Sequence, residues 1–203
     1  MTGVQTCALP IFTVFSSKPI AGLGYTPRPG IVTAKLVFYP TARSQRYEYR
    51  GAMPLRFTDG GSGAVVAEAA VPADMREALL LFAAIEPVPA TGLKYRVAVL
   101  DDSAAHNTTG GLAIINFSGL ELSGKIDGKD VTLKDGLNPA QAVGRTAKIA
   151  LHTTLKGRTF QSYAENLTLK KNERALLILF PPFYKGSLEV QSRMLVDEPP
   201  AMK

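Results

Sequence analysis

Leu122-Ser123-Gly124-Lys125-Ile126-Asp127-Gly128-Lys129-Asp130-Val131-Thr132-Leu133 is the stretch that decides the fold. An Asp-Gly pair sits between two segments in which apolar and polar residues alternate. Both central residues of a type I′ turn need positive φ, which Asp and Gly accept more readily than other residues. The pattern therefore predicts a two-residue β-hairpin. Thr146 to Leu155 and Arg158 to Tyr163 predict a second hairpin, around Lys156-Gly157.

Short apolar runs broken by turn residues continue on both sides. Ile31 to Phe38, Arg46 to Arg50, Leu55 to Phe57, Ala64 to Val71, Tyr95 to Leu100, Leu112 to Phe117, Ala175 to Phe180 and Ser187 to Val196 read as strands. Asn138-Pro139 reads as part of a loop. Asp101 to Gly111 is polar and small, as a linker would be. Eighteen Gly and fourteen Pro suit a chain with many turns.

Residues 75–85 are ambiguous taken alone. Their Met, Glu, Ala and Leu favour a helix by propensity, while a continuous apolar run also fits a strand buried on both faces. An internal repeat decides for the strand. Ala67-Glu68 matches Ala164-Glu165, an offset of 97 residues (67 to 164). At that offset Ala78-Leu79-Leu80-Leu81 falls on Ala175-Leu176-Leu177-Ile178, and Gly60 falls on Gly157. The second run is too short for a helix and ends in Pro181-Pro182, so both are expected to be strands. A repeat of this length means a duplicated domain. The expected fold is all-β: two tandem related immunoglobulin-like antiparallel β-sandwich modules, of about seven strands each, over residues 12–105 and 106–198, with a frayed tail at 199–203.

The opening Met1-Thr2-Gly3-Val4-Gln5-Thr6-Cys7-Ala8-Leu9-Pro10-Ile11 resembles the translation of a common short-read sequencing adapter, with a GTG codon read as the start. That resemblance implies that residues 1–11 are an artefact, that the true N-terminus is missing, and that Cys7 is not native. Without Cys7 the chain has no cysteine for a disulfide, a thiol nucleophile or a cysteine zinc site.

From residue 12 the chain resembles a group of uncharacterised exported bacterial β-sandwich proteins. Ala42-Arg43-Ser44, Tyr49-Arg50-Gly51, Val99-Leu100-Asp101-Asp102-Ser103, Asn116-Phe117-Ser118-Gly119 and Leu188-Glu189-Val190-Gln191-Ser192-Arg193 carry the likeness. It implies a periplasmic or extracellular location and attaches no activity to these motifs.

The charge is +6, with 23 Lys and Arg against 17 Asp and Glu spread along the chain. No aromatic residues interleave with the densest cluster, Lys170 to Arg174, so no nucleic-acid partner is expected. No apolar run approaches the 20 or so residues of a bilayer-spanning helix.

Candidate sites are few. Two histidines exist. His106 stands near Asp101, Asp102 and Ser103, which would make a metal or acid/base cluster if they converged; a polar linker explains them as well. His152 reads as a strand-surface residue. Ser103, His152 and Asp101 form a triad only on paper, without a nucleophile elbow. Asn107, Asn116 and Asn166 head Asn-x-Ser/Thr patterns. Tyr47, Tyr49, Arg43, Arg46 and Arg50 are the binding-surface candidates. Either the tyrosines face outward beside the arginines, or they face the core and leave the charges in water.

The expected function is non-enzymatic: an exported structural, surface or interaction protein, with a cell-envelope polymer or another surface protein as partner. A glycan or peptidoglycan binder is the alternative, and a metal-dependent hydrolase the third. No catalytic residue, metal ligand or cofactor site is expected.

Overall fold

The computed structural model describes residues 11–199. Residues up to Pro10, including Cys7 and most of the adapter-like string, and the tail from Pro200 lie outside the described residues. The described chain is all-β. Its sixteen strands divide into two modules between Ser103 and Ala104.

The first module contains β1 (Ile11–Ser16), β2 (Leu23–Tyr25), β3 (Ala34–Lys35), β4 (Tyr47–Glu48), β5 (Leu55–Asp59), β6 (Val65–Ala69), β7 (Glu77–Ala84) and β8 (Tyr95–Asp101). They form sheets β4-β1-β7-β8 and β3-β2-β5-β6. The second module contains β9 (Gly111–Asn116), β10 (Leu122–Ile126), β11 (Lys129–Leu133), β12 (Gly136–Ala142), β13 (Thr146–Leu155), β14 (Arg158–Thr168), β15 (Arg174–Phe180) and β16 (Gln191–Asp197). Its sheets are β12-β9-β15-β16 and β11-β10-β13-β14. Each strand order reproduces the other when counted eight strands on.

Two details depart from the expectation. Each module has eight strands rather than seven. Neither is wholly antiparallel: β1 runs parallel to β7, and β9 parallel to β15. Both faces of β7 and β15 are buried, which is why their sequences are continuously apolar rather than alternating.

Each module packs its two sheets around its own apolar core. In the first, Phe12, Leu80 and Phe82 from one sheet meet Tyr25, Leu55 and Phe57 from the other. Phe57 is edge-on to Phe82 with ring centroids 5.0 Å apart, and to Phe12 at 6.3 Å. Burying each such ring contributes about 1.5–3 kcal/mol. In the second module Leu112, Leu177 and Leu179 meet Leu122, Ile149 and Leu151.

The duplication is more exact in hydrogen bonding than in sequence. Ala78 pairs with Phe12 and Ala175 with Leu112, so these two alanines are equivalent. The register of β5 and β6 skips Val66, and that of β13 and β14 skips Ser162. Each bulge carbonyl accepts a bond from the approach to the last strand: Lys94 N to Val66 O at 2.8 Å, and Val190 N to Ser162 O at 3.1 Å. Val66 and Ser162 are therefore equivalent, which moves the Ala67-Glu68 and Ala164-Glu165 match out of register by one residue. Gly60 and Gly157 also differ. Gly157 has φ +74° in a two-residue turn. The β5–β6 connection is longer, and its positive-φ residue is Gly63. There the Asp59 carboxylate accepts bonds from the N–H groups of Ser62 and Gly61 and from Lys94, which hold its pKa down to about 2.

The expected strand at residues 31–38 shrinks to Ala34–Lys35. Ile31 and Val32 are 44% and 86% exposed, because the turn at Arg28 to Ile31 carries them away from β2. Conversely, Asn138-Pro139 lies inside β12, not in a loop. The register shift between Asn138 and Gln141 lets this edge strand carry a residue with no N–H.

Candidate functional site

The alternation of β4 and its flanks sends both tyrosines inward. Tyr47 and Tyr49 are 6% and 8% exposed. The Tyr47 ring packs 5.5 Å from Phe12 and 5.7 Å from Tyr25, and its hydroxyl accepts the Val37 N–H at 2.9 Å. Burial, with the neighbouring Tyr47 hydroxyl and Glu48 carboxylate, pushes the Tyr25 hydroxyl up to about 12. The Arg43 side chain is buried and pairs with Asp102. Arg46 is exposed, and the exposed Arg50 lies 3.8 Å from Glu48. The five candidates thus do not assemble into one outward tyrosine and arginine surface. The rings belong to the core, Arg43 belongs to an ion pair, and only Arg46 and Arg50 reach solvent.

Asp101 accepts the Ser103 N–H at 2.9 Å, and Asp102 is held by Arg43. His106 is exposed and lies beyond the division between the modules. Among the described residues no three His, Cys, Asp or Glu side chains converge as a metal set. His152 is half-buried on β13, opposite Ser123 and Gln161. Asn107 and Asn116 are 4% and 2% exposed and donate to the carbonyls of Ala175 and Leu120. Neither side-chain amide is accessible for glycosylation; Asn166 alone of the three is exposed.

The first module instead carries a groove of about 400 Å³ on the outer face of sheet β3-β2-β5-β6. Its floor is Arg56 and Thr58 of β5 with Val65 of β6. One wall is the segment after β2, Thr26 to Pro29, and the other is the β4–β5 connection from Tyr49 to Pro54. A bond from Arg50 N to Pro27 O at 2.7 Å joins the two walls. Arg28 is exposed, and Arg56 is paired 3.0 Å from Glu68 yet 65% exposed. Two guanidinium groups thus meet apolar surface from Met53, Pro54 and Val65.

Tyr49 props the second wall from beneath. Its hydroxyl donates to the Ala52 carbonyl at 2.5 Å, so the chain at Gly51 lies directly over the ring. A Cβ at Gly51 would land on the Tyr49 hydroxyl and Cζ. Gly51→Ala is expected to lift this wall or displace the ring, costing about 1–2 kcal/mol of stability in urea denaturation. A change below about 0.3 kcal/mol would contradict this contact.

Residues of this groove come from three separated segments, so sequence patterning alone did not mark it. Of the five binding-surface candidates only Tyr49 lines the groove, and the sequence singles it out for its ring rather than for the wall the ring supports. A scan against protein-family models finds no match, and a search of curated proteins finds none.

Proposed function

We propose that the chain is a non-enzymatic exported interaction protein whose first module holds a segment of a carboxylate-bearing polymer in the β5–β6 groove. The observation that carries this reading is the groove itself, with Arg28 and Arg56 beside Met53, Pro54 and Val65. Guanidinium groups match carboxylates in bidentate geometry, and the apolar strip takes the carbon skeleton between them. Acidic envelope glycans and acidic peptides share this chemistry. A platform of stacked sugar rings has less support, because Tyr47 and Tyr49 are buried.

Fluorescence polarisation with labelled polyglutamate and polygalacturonate oligomers tests the reading and separates the two sources. Binding to at least one is expected, and Arg28→Ala with Arg56→Ala should weaken it by about tenfold or more. Raised salt should weaken it further, as both arginines are near solvent. Absence of binding, or binding indifferent to the double variant, would overturn the assignment.

A further inference from the structure

The second module concentrates its exposed apolar side chains at one end. The connection from β9 to β10 is short, so the C-terminal end of β9 and the start of β10 share that end. Ser123 of β10 lies opposite His152, which places the β13–β14 hairpin beyond the same end. β15 is parallel to β9, so the β15–β16 loop emerges there too, and the Val190 to Ser162 bond ties that loop to β14. Phe183 and Tyr184 at its tip are 74% and 73% exposed, with ring centroids 4.9 Å apart and nearly perpendicular. Leu155 and Phe160 on the hairpin are 49% and 39% exposed. Leu137, at the start of β12, shares this end. Among the described residues of the module, only Val196 is a large exposed apolar side chain at the other end.

The two tips that carry these rings are themselves basic. Residues 155–160 contain Lys156 and Arg158 and no acid, and residues 181–186 contain Lys185 and no acid. Glu121, Asp135 and Glu189 lie in adjoining segments, outside both tips. Both tips thus set exposed rings beside exposed basic side chains. They can insert rings among lipid acyl chains while ammonium and guanidinium groups stay at headgroup level.

We propose that this end of the second module docks on an anionic lipid surface, with Phe183 and Tyr184 inserted and Lys156, Arg158 and Lys185 at the headgroups. Two anchoring signals, apolar and basic, are what stable attachment to a membrane surface requires. The proposal goes beyond the groove of the first module, and neither depends on the other.

Sedimentation of the full chain with vesicles tests it, comparing equimolar phosphatidylcholine and phosphatidylglycerol with phosphatidylcholine alone. Binding to the anionic vesicles is expected, lowered at least about tenfold by Phe183→Ser with Tyr184→Ser. Lys156→Glu with Arg158→Glu should lower binding to anionic vesicles and leave the weak binding to neutral ones unchanged. All four side chains are exposed, so circular dichroism melts of both variants should match the parent. Failure to bind anionic vesicles, or binding unmoved by the Phe183 and Tyr184 changes, would overturn the proposal. Loss of self-association or of a protein partner in that variant, without vesicle binding in the parent, would assign the tip to a protein surface and overturn it equally.

Discussion

Arg174→Ala should destabilise the second module by about 3–5 kcal/mol, the largest single-residue effect expected in the chain. Arg174 opens β15, and its side chain is 1% exposed. Its Nε and Nη2 donate to the two oxygens of Asp197 at 3.2 Å each, and its Nη1 donates to the Asn107 carbonyl at 3.1 Å. Truncation removes the two bonds of the fork from a mostly buried carboxylate and the Arg174 bond from a buried carbonyl. Both groups keep their desolvation cost while losing these bonds. Arg174→Lys should recover only part of the loss, because an ammonium cannot satisfy both carboxylate oxygens and the carbonyl in this planar arrangement. Arg174→Met with Asp197→Leu should be far milder than Arg174→Ala, since no charge is then stranded. Urea denaturation followed by circular dichroism measures all three. A loss below about 1 kcal/mol for Arg174→Ala would contradict this account of the pair.

The pair has a counterpart. Asp102 N bonds to Glu77 O, just as Asp197 lies opposite Arg174, so Asp102 and Asp197 are the equivalent acids. In the first module the cation comes from Arg43, between β3 and β4, while Glu77 occupies the position of Arg174. The same end of the same strand is thus closed by an Arg–Asp pair in both modules, from different places in the chain.

Gly124→Ala should cost about 3 kcal/mol or more, for a reason unrelated to glycine's flexibility. Gly124 lies mid-strand in β10, between Val131 and Leu151. A Cβ there would strike the Ala150 carbonyl oxygen and sit 2.9 Å from Leu151 Cα. Both are backbone, so no side chain can swing aside. β13 approaches this closely next to the bulge between Leu151 and His152. Gly128→Ala provides the contrast. Gly128 has φ +77° with nothing within 4 Å of a new Cβ, so its cost is conformational, about 1–2 kcal/mol. Melting curves of the two variants should place Gly124→Ala well below Gly128→Ala. The reverse order would show that β10 and β13 are not in close contact.

What the sequence made legible was local. Asp127 and Gly128 have φ of 49° and 77°, and Lys156 and Gly157 have 50° and 74°, so both predicted hairpins are two-residue turns of positive φ. The helix-like run at 75–85 forms the buried strand β7 (Glu77–Ala84), as its short, proline-ended repeat partner β15 indicates. Pairings between distant segments left no such trace. Nothing in Phe12-Thr13-Val14-Phe15 announces a parallel partner more than sixty residues away. The apolar Ile31 and Val32 read as strand because propensity does not record whether a neighbour is within reach. The site was hidden for a related reason. Alternation placed Tyr47 and Tyr49 on one face, but whether that face met the core or solvent depended on the opposing sheet.

The groove is the centre of the functional account, and amide chemical-shift mapping on the isotope-labelled full chain tests it most directly. On titration with the acidic oligomer that binds, the largest shifts are predicted at Thr26 and Arg28, at Gly51 to Met53, and at Arg56, Thr58 and Val65, lost in the Arg28→Ala, Arg56→Ala variant. Shifts centred on any other surface, or an unchanged spectrum at saturating oligomer, would contradict it.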